Sequence, residues 1–328
     1  THEILGVENV KQKVIVYRKV PNDIIENLTS QFEVVYFERL HDGNYQEFLK
    51  ELQTADGLLG ASMKMNQELL EMAPNLKIIS NISVGYDNLD MNELRRRGIK
   101  ATNTPGVLVD TTADTIFGLL LATARRIPEL DHYVKNGEWS GTIGESLFGV
   151  DVHHKTLGII GMGSIGRAIA KRGHFGFDMN ILYHNRSRKE EIENEFSAEY
   201  CELADLLKNS DYVCLMTPYT PETDKMIGER ELRLMKRSAI FINGSRGKNV
   251  DEQALIKALK EQWILAAGLD VYEQEPIAKE NHLLALPNVV TLPHIGSATK
   301  ETRDKMARLA ADNLIAGLTG NVPPNLIK

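Results

Sequence analysis

Thr156-Leu157-Gly158-Ile159-Ile160-Gly161-Met162-Gly163-Ser164-Ile165-Gly166-Arg167-Ala168-Ile169-Ala170 is the stretch on which the fold turns. Residues 156–160 form a short apolar run, as a strand buried on both faces of a parallel sheet does. Residues 167–172 read as a helix, and three glycines stand between the two at the G-x-G-x-x-G spacing. Each glycine has its own task in such a turn. Gly161 allows the tight bend, Gly163 lets the backbone approach a pyrophosphate, and Gly166 lets helix and strand pack closely. With Ser164 and Ile165, the helix N-terminus then offers free N–H groups and a partial positive charge to phosphates. Three glycines alone prove little. The strand before and the helix after make this the turn of a Rossmann-type dinucleotide site.

Working outward, the next strand candidate, residues 180–183, runs into His184-Asn185-Arg186-Ser187-Arg188. About 20 residues past the turn, an acid would hold the ribose 2′-hydroxyl of NAD. None stands there. Without that carboxylate a 2′-phosphate is not repelled, and Arg186 can bind it through its fork of donors, with Asn185 and Ser187 beside it and Arg188 in reach. The spacing therefore predicts NADP as cofactor, NADPH being preferred over NADH. The bland alternative is that these arginines form a solvated face, as charge runs usually do.

The glycine turn comes late, and a complete α/β pattern precedes it. Residues 14–17, 34–37, 57–59, 77–82 and 100–103 are strand candidates, separated by helical patterns such as 44–53 and 88–97, the latter closed by Gly98. Residues 110–126 read as a longer helix that Asp110 or Thr111 can cap. Periodicity is lost over residues 127–155, where Gly137, Gly141, Gly144 and Gly149 surround Trp139; a loop of that length is expected to be functional or an interaction arm. A second βα series follows, with strands at 157–160, 180–183, 212–216, 239–242, 266–269 and 289–292, and a last helix at 299–318. Alternation of this kind predicts an α/β protein of two doubly wound parallel sheets. At 328 residues, two domains are also what chain length favours.

Composition narrows the class. The chain is 42% hydrophobic and 25% charged, a globular balance, and its net charge of -7 without a basic stripe argues against nucleic acid. Apolar runs such as residues 116–122 are too short to span a bilayer, and no secretory signal is visible. Two cysteines make neither a disulfide framework nor a zinc site, so a reducing cytoplasm fits best; Cys214, in an apolar run, reads as a buried hydrophobe. No metal site is expected: His153 and His154 are adjacent and lack a carboxylate at ligand spacing. Arg95-Arg96-Arg97 reads as the solvated end of a helix. Residues 1–10 carry no strong pattern and support no reading.

Three further segments join special residues to strand ends: residues 241–247 with Arg246, 268–276 with Asp270, Glu273 and Glu275, and 292–296 with His294. Ligands of open α/β sheets bind beyond the carboxyl ends of the strands, so the three should converge. Their chemistry suits reduction of a 2-keto acid. Arg246 offers parallel donors to a carboxylate and a carbonyl, His294 can pass a proton to the oxygen, and Glu275 can orient the imidazole and stabilise its charge. Asp270 is a candidate for the nicotinamide carboxamide. Each also has a structural reading, and Glu273 rivals Glu275.

Taken together, TLGIIGMGSIGRAIA, LMTPYTPET, FINGSRGKNVDEQAL, AAGLDVYEQEP and LPHIGSAT stand in an order and spacing that resembles the D-isomer-specific 2-hydroxyacid dehydrogenase family over nearly the whole chain. ISVGYDN, VDVHHKTLGI and HFGFDMNILY are most similar to its members that reduce glyoxylate, hydroxypyruvate and 2-ketogluconate. The resemblance implies that Arg246 binds substrate, that Glu275 partners His294, and that His294 donates the proton. It implies that Val84 and Gly85 hold the substrate carboxylate by backbone amides, and that Thr217, Pro218, Gly244 and Asp270 contact the cofactor. It implies a substrate domain of residues 1–108 completed by 299–328, a cofactor domain of 109–298, and a homodimer formed through the arm around Trp139. The departure is His184, where NAD-preferring members carry an acid. The expected activity is NADPH-dependent reduction of a small 2-keto acid to the D-2-hydroxy acid. A cofactor-sensing regulator on the same fold is the rival, since fold alone does not fix function.

Overall fold

The computed structural model describes residues 11–328; residues 1–10 lie outside it. The chain divides into two compact units, residues up to Leu108 with Thr299–Lys328, and Val109–Ala298. The first begins with β1 (Lys13–Val16), α1 (Asn22–Gln31), β2 (Glu33–Tyr36), α2 (Asp42–Leu52), β3 (Gly57–Gly60), α3 (Gln67–Glu71), β4 (Ile78–Asn81), α4 (Met91–Arg97) and β5 (Lys100–Thr102). Its strands pair in parallel in the order β2-β1-β3-β4-β5, the flavodoxin-like winding. Ile15, Phe48, Leu58, Ile79 and Leu94 are wholly buried between sheet and helices. Gly98 ends α4 in the left-handed conformation at φ 69°, where a side chain would be strained. Arg96 and Arg97, expected to be merely solvated, both bind Glu93 one turn back.

The second unit contains α5 (Val109–Ala124), α6 (Ile127–Lys135), β6 (Thr156–Ile160), α7 (Ser164–Phe177), β7 (Asn180–His184), α8 (Glu190–Phe196), β8 (Glu199–Tyr200), α9 (Leu203–Asn209), β9 (Tyr212–Leu215), α10 (Glu229–Leu234), β10 (Ile240–Asn243), α11 (Glu252–Lys260), β11 (Ala266–Leu269) and β12 (Val289–Thr291). Its seven strands are all parallel, in the order β12-β11-β10-β9-β6-β7-β8. The last helix, α12 (Lys300–Leu318), returns to the first unit. Thr299 caps it by accepting from the N–H of Thr302, and Leu314 packs so close to Gly57 that a methyl group there would sit 2.9 Å from it. Both units are therefore doubly wound parallel α/β folds.

Two local expectations are corrected, and one strand is added. Neither Asp110 nor Thr111 caps α5, because the helix already starts at Val109; Asp110 lies in the first turn, where its charge suits the helix dipole. Residues 127–135 are helical, not loop: Arg126 breaks the chain at φ 56° and Pro128 restarts it at a position where a proline is favourable. This helix buries none of its residues, so it carries no core-facing stripe to read. The two-residue edge strand β8 is too short for any periodicity to reveal.

Candidate functional site

Strand register sets the site. Across the second sheet, Thr291, Leu269, Asn243, Leu215, Ile160 and His184 pair in one continuous row. Each is the last residue of its strand, so every loop singled out in the sequence leaves the sheet from the same line. Five strand spacings separate β12 from β7, roughly 24 Å. Arg186 and the glycine turn thus lie toward one end, and Arg246, Glu275 and His294 toward the other.

At the phosphate end, two glycines are dictated by the protein itself. Gly161 has φ 97°, and a Cβ there would stand 2.8 Å from the Met216–Thr217 peptide. A Cβ on Gly166 would reach 2.4 Å from the Gly161 carbonyl oxygen. Gly163 is different: a Cβ there would meet nothing within 4 Å. Its lack of a side chain leaves open space above the start of α7, which no side chain caps. Uncapped N–H groups of Ser164, Ile165 and Gly166 beside an open glycine suit a pyrophosphate. Gly161 donates its N–H to the His184 carbonyl at 2.9 Å, tying the turn to the end of β7.

Beyond β7 the arginines divide. Arg188 is committed to Glu193 through two 2.7 Å bonds, and the Tyr183 hydroxyl donates to the same carboxylate. Those partners hold Glu193 down at about 2. Arg188 is thus a brace, which corrects the expectation that it assists in phosphate binding. Arg186 is exposed and makes no hydrogen bond or ion pair among the described residues, though its charge helps depress the Glu222 carboxyl after that group's own N–H and Thr220. Asn185 turns back to the Ser187 carbonyl. The His184 ring lies 3.0 Å from the Cys201 carbonyl and stacks on Tyr200.

In the centre, the Thr217 hydroxyl bonds the Ile160 carbonyl and the Thr217 carbonyl accepts from Asn249 at 2.7 Å; Pro218 follows, exposed. Gly244 is required by α5, since a Cβ would fall 2.3 Å from Ile116. Buried Asn243 organises the next loop: its amide donates to the Arg246 carbonyl and accepts from both the N–H and the hydroxyl of Ser245. One tip of the Arg246 guanidinium, Nη1, donates to the Ser245 carbonyl at 2.9 Å.

At the far end, His294 Nδ1 stands 2.7 Å from Glu275 Oε2. The other oxygen, Oε1, accepts from the Tyr272 N–H at 3.1 Å. Burial alone would raise the Glu275 pKa, but His294, the Tyr272 N–H and the Arg246 charge outweigh it and hold the carboxyl below its usual range. Glu275, not Glu273, is the histidine's partner. The Tyr272 hydroxyl lies 3.2 Å from the Leu269 carbonyl and 2.9 Å from that of Leu292, bridging the two loops; burial pushes it up to about 12.

His294 has φ 54°, a left-handed conformation that costs a β-substituted residue roughly 1–2 kcal/mol. Asp270 holds it there. Its two oxygens accept from the N–H groups of Ile295 and Gly296 at 2.8 and 2.9 Å, and the side chain is 2% exposed. Burial raises the Asp270 carboxyl above its ordinary value. Both oxygens are therefore already engaged with the histidine loop, whatever else Asp270 binds. Asn243, Asn249 and Tyr272 were not singled out from the sequence. Their signal was present, since a polar residue at the end of an apolar strand, as Asn243 is, needs a reason.

In the first unit, the carbonyls of Val84 and Gly85 are taken by the Asn103 and Asn81 amides at 2.8 and 3.1 Å. The N–H groups of Val84 and Gly85 have no acceptor among the described residues. Orphaned donors on a polar loop are apt for an anionic ligand. Elsewhere, Cys214 is wholly buried with a thiol pushed up to about 12, and no His, Cys, Asp and Glu cluster among the described residues could hold a metal ion.

Replacing Asp270 by Asn tests its grip on the loop. An amide keeps one acceptor but turns its NH2 toward the other N–H, and a hydrogen bond to charge is worth about 1.5–3 kcal/mol. Amide exchange at Ile295 or Gly296 should accelerate by roughly ten-fold or more in Asp270→Asn, with global stability retained. Unchanged protection at both amides would refute the role.

Comparison with known proteins shows the family of this chain. The model of the D-isomer specific 2-hydroxyacid dehydrogenase NAD-binding domain matches residues 117–296. A glyoxylate/hydroxypyruvate reductase B of Yersinia pestis is 51% identical over 318 residues, 97% of this chain and 98% of its own. Among solved structures, a Thermus thermophilus protein superposes with a TM-score of 0.89 at 41% identity, covering 97% of this chain and 100% of its own. The NADPH-dependent glyoxylate/hydroxypyruvate reductase of Sinorhizobium meliloti, in complex with NADP and malonate, gives 0.85 at 33% identity, covering 97% of each chain. The chain belongs to the D-isomer-specific 2-hydroxyacid dehydrogenase family and is an NAD(P)-dependent enzyme of that family.

Proposed function

We propose that this enzyme reduces a small 2-keto acid (glyoxylate, hydroxypyruvate or 2-ketogluconate) to the D-2-hydroxy acid with NADPH. The observation that carries the reading is the 2.7 Å His294–Glu275 contact at the sheet edge that also bears Arg246 and the open glycine turn. The names of the Yersinia and Sinorhizobium relatives support the substrate class and the cofactor.

When bound, the nicotinamide supplies the hydride. With Nδ1 donating to Glu275, His294 keeps Nε2 as the position from which a proton passes to the keto oxygen. Glu275 is ionised through the neutral range and stabilises the imidazolium. The Arg246 fork is assigned to the carboxylate and the keto oxygen. Because reduction consumes a proton, it should slow as pH rises. The ion pair should stay intact on the acid side until pH falls through the depressed Glu275 value. In Glu275→Gln the alkaline limb of kcat should move to lower pH, because the neutral amide no longer favours the imidazolium. His294→Ala should lower kcat by roughly 10²–10⁴-fold with NADPH affinity nearly unchanged. Full turnover in His294→Ala would remove it from the role. Wild-type protein that binds NADPH but turns over none of the three acids would be a sensor instead.

Arg186 is assigned to the 2′-phosphate, and this makes NADPH the preferred cofactor. Arg186→Gln should raise KM for NADPH by roughly ten-fold or more while NADH kinetics stay within about two-fold, by loss of a charge-assisted pair. Equal effects on both cofactors would point to another phosphate-binding group.

We also place the enzyme in the cytoplasm, where the free thiols of Cys201 and Cys214 suit reducing conditions, and assign it no membrane or nucleic-acid partner. A homodimer is inferred from the arm that follows α5. Ile127, Val134, Trp139 and Phe148 there are 53%, 51%, 62% and 55% exposed, apolar side chains that a second copy would cover. Sedimentation should give a dimer for the wild type and a monomer for Trp139→Asp. A monomeric wild type at micromolar concentration would dismiss it.

A further inference from the structure

The segment that carries Glu275 has few anchors of its own. Residues 273–276 are exposed, and between the buried Tyr272 and the helical turn at His282–Ala285 the chain has no regular structure. Two features from outside pin its beginning. The first is Gly247, directly after Arg246: a Cβ there would stand 1.8 Å from the Tyr272 carbonyl carbon and 2.3 Å from the Glu273 nitrogen. The Tyr272–Glu273 peptide thus lies flat against the Arg246 loop. The second is Glu252, in the first turn of α11. Its side chain is buried at 9% exposure; Oε2 accepts from the Glu273 N–H at 3.1 Å and Oε1 from the Asn281 amide at 2.7 Å. Asn281 in turn accepts from the Leu283 N–H, which fixes the far end of the same segment.

A buried carboxylate is expensive without partners, and this one is placed on two donors that belong to one loop. Its own helix does not need it, because Asp251 caps α11 by accepting from the Ala254 N–H at 3.1 Å. We propose that Glu252 is a positioning residue for the proton-donating pair, holding both ends of the Glu275 loop so that the carboxylate stays within 2.7 Å of His294. It touches no reacting atom. It acts through Glu275, whose other oxygen is spent on the Tyr272 N–H at the start of the pinned peptide. The proposal rests on the assignment of His294 as proton donor.

The test compares wild type, Glu252→Ala and Glu252→Gln as full-length proteins by two readouts. One is steady-state reduction of glyoxylate by NADPH across pH. The other is NMR titration of the His294 ring in protein without cofactor, which registers the fields of Glu275, Asp270 and Arg246 around it. With Glu275 no longer held, the His294 titration should move to lower pH in Glu252→Ala, and the alkaline limb of kcat should move with it. The kcat at neutral pH should fall on the order of ten-fold, as misplacement of a catalytic group does, while KM for NADPH changes little. Glu252→Gln keeps an acceptor for the Glu273 N–H and should lie between. If Glu252→Ala does not fold, Asn281→Ala releases one end of the loop and should shift the same titration by a smaller amount. A lower melting temperature with an unmoved His294 titration and kcat within two-fold would overturn the proposal and leave Glu252 a stabilising residue only. Failure of the underlying reading looks different: the wild type itself would then show no kcat limb that follows the His294 titration.

Discussion

The registered row of strand ends is the constraint from which the rest follows. Parallel strands closed by right-handed crossovers must all point one way, so their carboxyl ends share an edge. In the second unit the pairing of Ile160 with Leu215 and His184, of Asn243 with Leu215 and Leu269, and of Leu269 with Thr291 aligns those ends without stagger. A slip of one residue in any pair would exchange the side chains that meet the helices on the two buried faces and break close fits such as that of Gly158 against Leu206. Hydrophobic burial thereby enforces the placement of the polar loops. The residues that do chemistry contribute little to this alignment and receive their positions from it.

Position alone does not finish the end of the row to which proton donation is assigned. His294 must adopt a left-handed backbone that resists its side chain, and the structure balances that cost locally. Asp270 accepts two hydrogen bonds there, each of about 1.5–3 kcal/mol for a charged acceptor, against a conformational penalty of roughly 1–2 kcal/mol. Burial of the carboxylate is a cost of its own, which these two N–H groups offset only in part. The same burial raises its pKa, so the grip on the loop comes with a carboxylate that protonates more readily than usual. Glu275 is arranged the opposite way: positive neighbours overcome its burial and keep it ionised. Two acids a few residues apart are thus tuned in opposite directions, one by desolvation and one by charge.

The parts of this molecule that were legible in the sequence are those with a period or a fixed spacing. Strands within both sheets, the glycine turn and the three strand-end segments announce themselves because burial and backbone geometry restrict which residues fit. The helix Ile127–Lys135 does not, since a helix that buries none of its residues has no apolar stripe. Asp110 misled for a related reason: an acid favours the cap and the first turn alike, and only the backbone distinguishes them. Glu275 was the expected partner of His294 with Glu273 as its rival, because the choice depends on which way a loop folds over the end of β11. Arg186 and Arg188 were likewise alike in sequence; Glu193, arriving from α8, separates them by claiming one. Contacts between distant segments are the information that a one-dimensional pattern lacks.

The two ends of the row are built on different physical principles, and the difference follows from what each must bind. A pyrophosphate carries full charge near neutrality, so backbone N–H groups and one open glycine suit it, and Arg186 is assigned only to the 2′-phosphate. The tight packing around Gly161 and Gly166 keeps that turn in place, and the His184 ring is turned onto the Cys201 carbonyl and Tyr200. A proton donor must instead change its charge during the reaction, and a backbone amide cannot. That end consequently relies on titratable side chains, whose pKa values depend on sub-ångström placement of their neighbours. Asn243, Tyr272, Asp270 and the Gly247 contact concentrate there, on the three loops that follow β10, β11 and β12, because that is where imprecision would alter chemistry rather than affinity.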